Sequence, residues 1–154
     1  MKRHEFRLFA DYRQFYLQDE EADGDLSESW TEEATGRLLA LAPGTIGVGT
    51  MEAVEVEVAV EVRETEPPVR LAEWDHVVEC GIDVPTGQVV VAGCTDYFPE
   101  AARVTVEPGR YRARVCGSGF DAVEAGGDSY LVQLWPGGGA EVRVLKRFAG
   151  ASGV

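Results

Sequence analysis

Between Ala53 and Glu64 the chain alternates with a period of two. Val54, Val56, Val58, Val60 and Val62 point one way, and Glu55, Glu57, Ala59, Glu61 and Arg63 point the other. Such alternation marks a strand with one buried face. Trp74 to Val84 repeats the pattern, and Gln88 to Cys94 is a continuous apolar run suited to a central strand. Ala102 to Glu107 and Arg110 to Cys116 flank Pro108-Gly109, the signal of a tight hairpin, with inward sets Val104, Val106 and Tyr111, Ala113, Val115. Glu5 to Gln18 shows two mixed faces, which predicts a break near Ala10-Asp11. Thr45 to Thr50 is a short Gly-rich strand, and Tyr130 to Trp135 and Glu141 to Phe148 supply the last two, separated by Pro136-Gly137-Gly138-Gly139.

One segment changes period. Trp30, Ala34, Leu38 and Leu41 recur at helical spacing, Ser29 with Glu32 forms a capping-box pattern, and Pro43-Gly44 stops the run. The reading is a mainly β protein: an antiparallel sandwich of eight or nine strands with one helix from Trp30 to Leu41. Its expected core contains Phe15, Trp30, Leu38, Ile46, Val54, Val56, Val58, Val60, Val90, Val104, Tyr111, Val115 and Leu134.

Length adds that residues 1–148 suit one domain, with 149–154 a flexible tail and Gly117 to Asp128 a mobile loop. No apolar run approaches the roughly 20 residues of a membrane span. No apolar signal core follows Met1-Lys2-Arg3, so a cytoplasmic location is expected. Cys80, Cys94 and Cys116 are odd in number and lack a CxxC, which favours small buried hydrophobes over disulfides or zinc.

Charge changes the picture most. A net charge of −13 repels nucleic acid and anionic membranes and attracts cationic surfaces, although acidity also serves solubility. Asp19, Glu20, Asp23 and Asp25 lie in a loop expected over Asp19 to Glu28. Read as an EF-hand, that loop would place Trp30 where the bidentate carboxylate belongs, so calcium binding of that kind is not expected, and a solvated charge run is favoured over a looser ion site. Cys94, His76 and Asp96 offer residue types for nucleophilic catalysis without a spacing that joins them, and no enzyme or cofactor is expected. With His4 and His76 the only histidines, a multi-histidine metal centre is not expected. The Gly-rich turn lacks the Lys-Ser/Thr of a phosphate cradle. Glu55, Glu57 and Glu61 share one strand face at intervals of about 6.5–7 Å, a row able to imitate a nucleic-acid backbone or steer a basic protein. The first candidates for partner binding are therefore Glu55, Glu57, Glu61, Asp19, Glu20, Asp23 and Asp25. A second candidate function is sugar, peptide or small-ligand binding through loop aromatics Tyr97, Phe98 and Trp135.

Taken in order, Tyr12-Arg13-Gln14-Phe15, Trp30-Thr31-Glu32-Glu33-Ala34, Ala42-Pro43-Gly44-Thr45-Ile46, Pro108-Gly109-Arg110-Tyr111 and Asp128-Ser129-Tyr130 form a pattern. It resembles the competence-associated, ComJ-like nuclease inhibitor family from Leu8 to Trp135. The segment Cys94-Thr95-Asp96-Tyr97-Phe98-Pro99 departs from it. The resemblance implies a small acidic, non-enzymatic protein that binds a DNA-entry nuclease and blocks it.

Overall fold

The computed structural model describes residues 1–121 and 127–148. Residues 122–126 of the expected Gly117 to Asp128 loop, and the tail at 149–154, lie outside the described residues. Eleven strands run through the described part, against eight or nine expected. In chain order they are β1 (Lys2–Phe9), β2 (Gln14–Asp19), β3 (Leu39–Ala42), β4 (Thr45–Gly49), β5 (Glu55–Val62) and β6 (His76–Val84), then β7 (Gln88–Gly93), β8 (Ala102–Thr105), β9 (Gly109–Ser118), β10 (Ser129–Pro136) and β11 (Arg143–Lys146). One helix, α1 (Glu32–Arg37), precedes β3.

The strands form two sheets. The first has the order β1-β5-β10-β9-β6-β11 and the second β3-β4-β2-β7-β8. All pairs are antiparallel except β5 with β10. The predicted alternation of β5 holds: Val56, Val58 and Val60 are buried and meet Phe15, Leu17, Ile46, Val48, Val89 and Val91 from the other sheet. Of the expected core, Trp30, Leu38 and Val54 are only partly buried, and Leu38 and Val54 pack at its margin.

Three expectations are corrected. The helix is shorter than Trp30 to Leu41: Thr31, not Ser29, caps it through Oγ1, which accepts from the Ala34 N–H at 3.1 Å. Leu38 then turns left-handed at φ 58° and the chain continues as β3 along β4. Helix propensity differs among ordinary residues by up to about 0.7 kcal/mol, whereas fully burying a Leu contributes about 1.5–3 kcal/mol. Leu39 is fully buried, so sheet pairing wins. Second, Pro108-Gly109 closes no hairpin. β8 pairs with β7 in the second sheet and β9 with β6 and β10 in the first, so the chain crosses between layers there. The Tyr111 hydroxyl ties this corner by donating to the Glu107 carbonyl at 2.6 Å. Third, the acidic loop begins one residue late, because Asp19 is the last residue of β2.

The chain also crosses between layers at Asp11–Arg13, from β1 to β2. Tyr12 and Arg13 there adopt φ of 60° and 58°, unusual for residues with side chains. Among the described residues no helix is long and apolar enough to cross a membrane.

Candidate functional site

The outward row on β5 is occupied by its neighbours. Glu61 is buried in the first sheet, where it accepts from Arg3 at 2.8 Å, Arg63 at 3.0 Å and Gln133 at 3.1 Å. Burial alone would raise its pKa, but these hydrogen bonds prevail and hold it below the ordinary carboxylate value. Glu55 and Glu57 share Arg7, at 3.1 and 3.6 Å. Register extends the Glu61 row across all six strands as Arg3, Glu61, Gln133, Arg114, Glu79 and Arg143. Charges alternate along it, so this face is locally balanced.

At its centre Arg114 is 1% exposed. It donates to Glu79 at 2.8 Å and to the Pro67 carbonyl at 2.9 Å, and its guanidinium lies 5.0 Å from the Trp135 ring centroid. Trp135 is therefore a buried strand residue and not an exposed loop aromatic.

The other predicted carboxylates belong to the second sheet. Asp19 is buried and accepts from the Thr86 N–H and hydroxyl at 3.0 and 2.7 Å and from the Glu21 N–H at 3.1 Å. It fastens the start of the acidic segment to the turn between β6 and β7. Glu20 pairs with Arg103 at 2.8 Å. Asp23 and Asp25 are exposed, and Asp25 is held below the ordinary carboxylate value by hydrogen bonds from Ser27.

This acidic segment folds back onto the outer face of the second sheet. Gln18 donates to the Ala22 carbonyl at 3.0 Å, and Trp30 donates to Gln14 Oε1 at 3.0 Å. Gly47 in β4 lets Leu26 and Trp30 lie close: an added Cβ would stand 2.7 and 3.1 Å from them. Between the segment and the β7–β8 connection lies a groove of about 510 Å³ floored by Gln14, Tyr16 and Gln18.

The two sides of the molecule differ in charge. Residues 11–49 and 88–107, which build the second sheet and its connections, hold twelve acidic and three basic residues, nine of the thirteen net negative charges. Among the described residues, Glu21, Asp23, Asp25 and Glu28 make no ion pair. The exposed aromatics Tyr12 and Tyr97 lie on the same half of the fold, on the β1–β2 and β7–β8 connections.

Cys94, His76 and Asp96 form no catalytic relay. His76 Nε2 donates to the Arg37 carbonyl at 2.7 Å, and Nδ1 accepts from the Phe148 N–H at 3.2 Å, so both ring nitrogens are engaged. Asp96 accepts from the Gly93 N–H at 2.8 Å. Cys80 and Cys116 are the expected buried hydrophobes, with burial pushing each thiol up to about 12. Cys94 departs from that expectation: it is exposed beside the groove, its thiol raised by partial burial and by Asp11 and Asp96. Among the described residues, no three His, Cys, Asp or Glu side chains converge to hold a metal ion. The sequence reading missed the groove floor, since nothing in Gln14, Tyr16 and Gln18 signals that a distant loop will arch over them.

Together the layers define a class: a two-sheet β-sandwich with one short helix and a ComJ-like fold. Among solved structures the chain is similar to ComJ from Bacillus subtilis, described as an inhibitor of the DNA degrading activity of NucA. The TM-score is 0.69 at 14% identity, covering 89% of this chain and 96% of that one. It is also similar to crocagin biosynthetic gene J, with a TM-score of 0.60 at 22% identity over 88% of this chain and 99% of that one. At these identities the likeness establishes the fold. No family model matches the sequence, and no curated protein matches it.

Proposed function

We propose that the protein is a non-enzymatic cytoplasmic inhibitor that binds a basic protein partner of the nuclease kind and occludes its cationic substrate surface. The observation that carries this reading is the charge partition, with nine of thirteen net negative charges on the second-sheet side. The shared fold with ComJ supports the class of partner. A field of one sign raises association rates by about 10- to 1,000-fold at low salt. Asp23 and Asp25 lead the docking face, with Glu20 at its rim. Glu55, Glu57 and Glu61 contribute less, because Arg3, Arg7 and Arg63 offset them. Asp19 holds the acidic segment in place from within.

The test is a DNA-degradation assay with a basic secreted nuclease from the same source, run alongside association kinetics at several salt concentrations. Inhibition with association that slows steeply as salt rises is the expected result. Absence of a complex at low salt would sink the proposal.

The reading as a sugar, peptide or small-ligand binder keeps one favourable observation, the aromatic groove. Its acidic surroundings favour a cationic peptide segment over a sugar, which makes the groove a part of the docking face.

A further inference from the structure

The groove on the second sheet has more specific chemistry than a charged surface. Its floor residue Gln18 is 5% exposed, and its amide orientation is fixed because Nε2 donates to the Ala22 carbonyl. That leaves Oε1 as an acceptor to which, among the described residues, no group donates. Gly24 packs against this oxygen, where any side chain would collide with it: a Cβ there would stand 2.3 Å from it, and the glycine φ of +73° resists a side chain as well. Tyr16 and Trp30 supply ring surface, Asp23 supplies a carboxylate, and among the described residues no basic side chain lines the groove.

One edge already demonstrates the chemistry. The Arg103 guanidinium lies 5.3 Å from the Phe98 ring centroid, and its Nε donates to Glu20 at 2.8 Å. Phe98 and Glu20 both line the groove. A guanidinium suits such a place because it is flat, weakly hydrated and donor-only, stacking on rings while its edge meets acceptors. An ammonium is smaller and more strongly hydrated, and a neutral group gains nothing from the surrounding field.

We propose that this groove is a receptor for a single arginine side chain carried on an exposed loop of the partner. The proposal rests on the reading that the second-sheet side docks a basic protein, and it names the group that the groove takes.

The probes are N-acetyl-arginine amide, N-acetyl-lysine amide and the uncharged isostere N-acetyl-citrulline amide, each titrated into the full chain and followed by amide and indole NMR. Arginine amide is expected to move the Trp30 indole N–H and the Gln14 and Gln18 side-chain amides, with lysine amide weaker and citrulline amide silent. Asp23→Asn should weaken the arginine response by about threefold, the scale of an exposed ion pair. An equal response to citrulline amide, or shifts confined to Glu55 and Glu57, would overturn the assignment.

A second measurement uses Cys94, the exposed thiol beside the groove, since Cys80 and Cys116 are buried. A bulky maleimide on Cys94 should abolish the arginine shifts and weaken capture of the nuclease. Capture at full affinity by the blocked protein would overturn the arginine receptor and leave the docking side standing. Arginine uptake with no basic protein captured would overturn the docking side instead.

Discussion

The two sheets answer the same problem, how to carry carboxylates on a small fold, in opposite ways. On the first-sheet side, the described residues of 1–10, 50–87 and 108–148 hold fourteen acidic and eleven basic residues. Its transverse row from Arg3 to Arg143 alternates charge, and its innermost member Arg114 is buried. The second-sheet side has twelve acids against three bases, and among the described residues its loop carboxylates Glu21, Asp23, Asp25 and Glu28 face water without an ion-pair partner. Paired charges inside a sheet fix register and close the surface to partners. Unpaired charges on a tethered loop leave a field that reaches outward. The difference teaches that net charge by itself does not locate a docking surface, because only the imbalance counts.

Breaking the paired side should produce the largest effect. Arg114→Met leaves the Glu79 carboxylate buried with only the 3.5 Å contact to Arg112, and about 3–5 kcal/mol of stability should be lost. Urea unfolding measures it, and a loss below about 1 kcal/mol would mean the network is expendable.

Breaking the unpaired side should leave folding nearly intact and slow binding. The triple variant Asp23→Lys, Asp25→Lys, Glu28→Lys is expected to slow association with a basic nuclease by about tenfold or more and to flatten its salt dependence. Stopped-flow kinetics would show this.

A smaller effect concerns acid. Burial lowers the His76 pKa, its hydrogen bond to the Arg37 carbonyl partly restores it, and Arg147 lowers it again. The unfolded chain therefore takes up this proton first as pH falls. Stability due to neutral His76 is full above the unfolded value of about 6.5 and is lost as pH drops through the lower folded value. Urea midpoints should accordingly fall between pH 7 and 5, less steeply in His76→Gln than in wild type. The smallest change belongs to Glu57→Gln, whose exposed pairing with Arg7 should matter by no more than about 0.5 kcal/mol in the same assay.

Strand identity was legible where one face is buried, as in β5, since burial on one side imposes alternation in the residues themselves. Which sheet a strand joins was not. A Pro-Gly turn bends the backbone alike whether the next strand returns beside its predecessor or crosses to the other layer, as β9 does. Leu39 to Leu41 looked helical because their burial depends on β4, which follows them in the chain. The acidic residues of the candidate site were visible from composition, but their partners were not. Arg3 meets Glu61 across 58 positions, and Arg103 meets Glu20 across 83, so the sequence overstated Glu61 and said nothing of the groove.

The parallel pairing of β10 with β5 carries a consequence for synthesis. β10 sits in the interior of the first sheet, between β5 and β9, yet it is the next-to-last strand to leave the ribosome. All strands of the other sheet have emerged by Thr105, whereas β5 and β9 wait with open hydrogen-bonding edges until Ser129–Pro136 arrives. A nascent chain stalled before that point would present two adhesive borders, and those borders are where premature termination would seed aggregates.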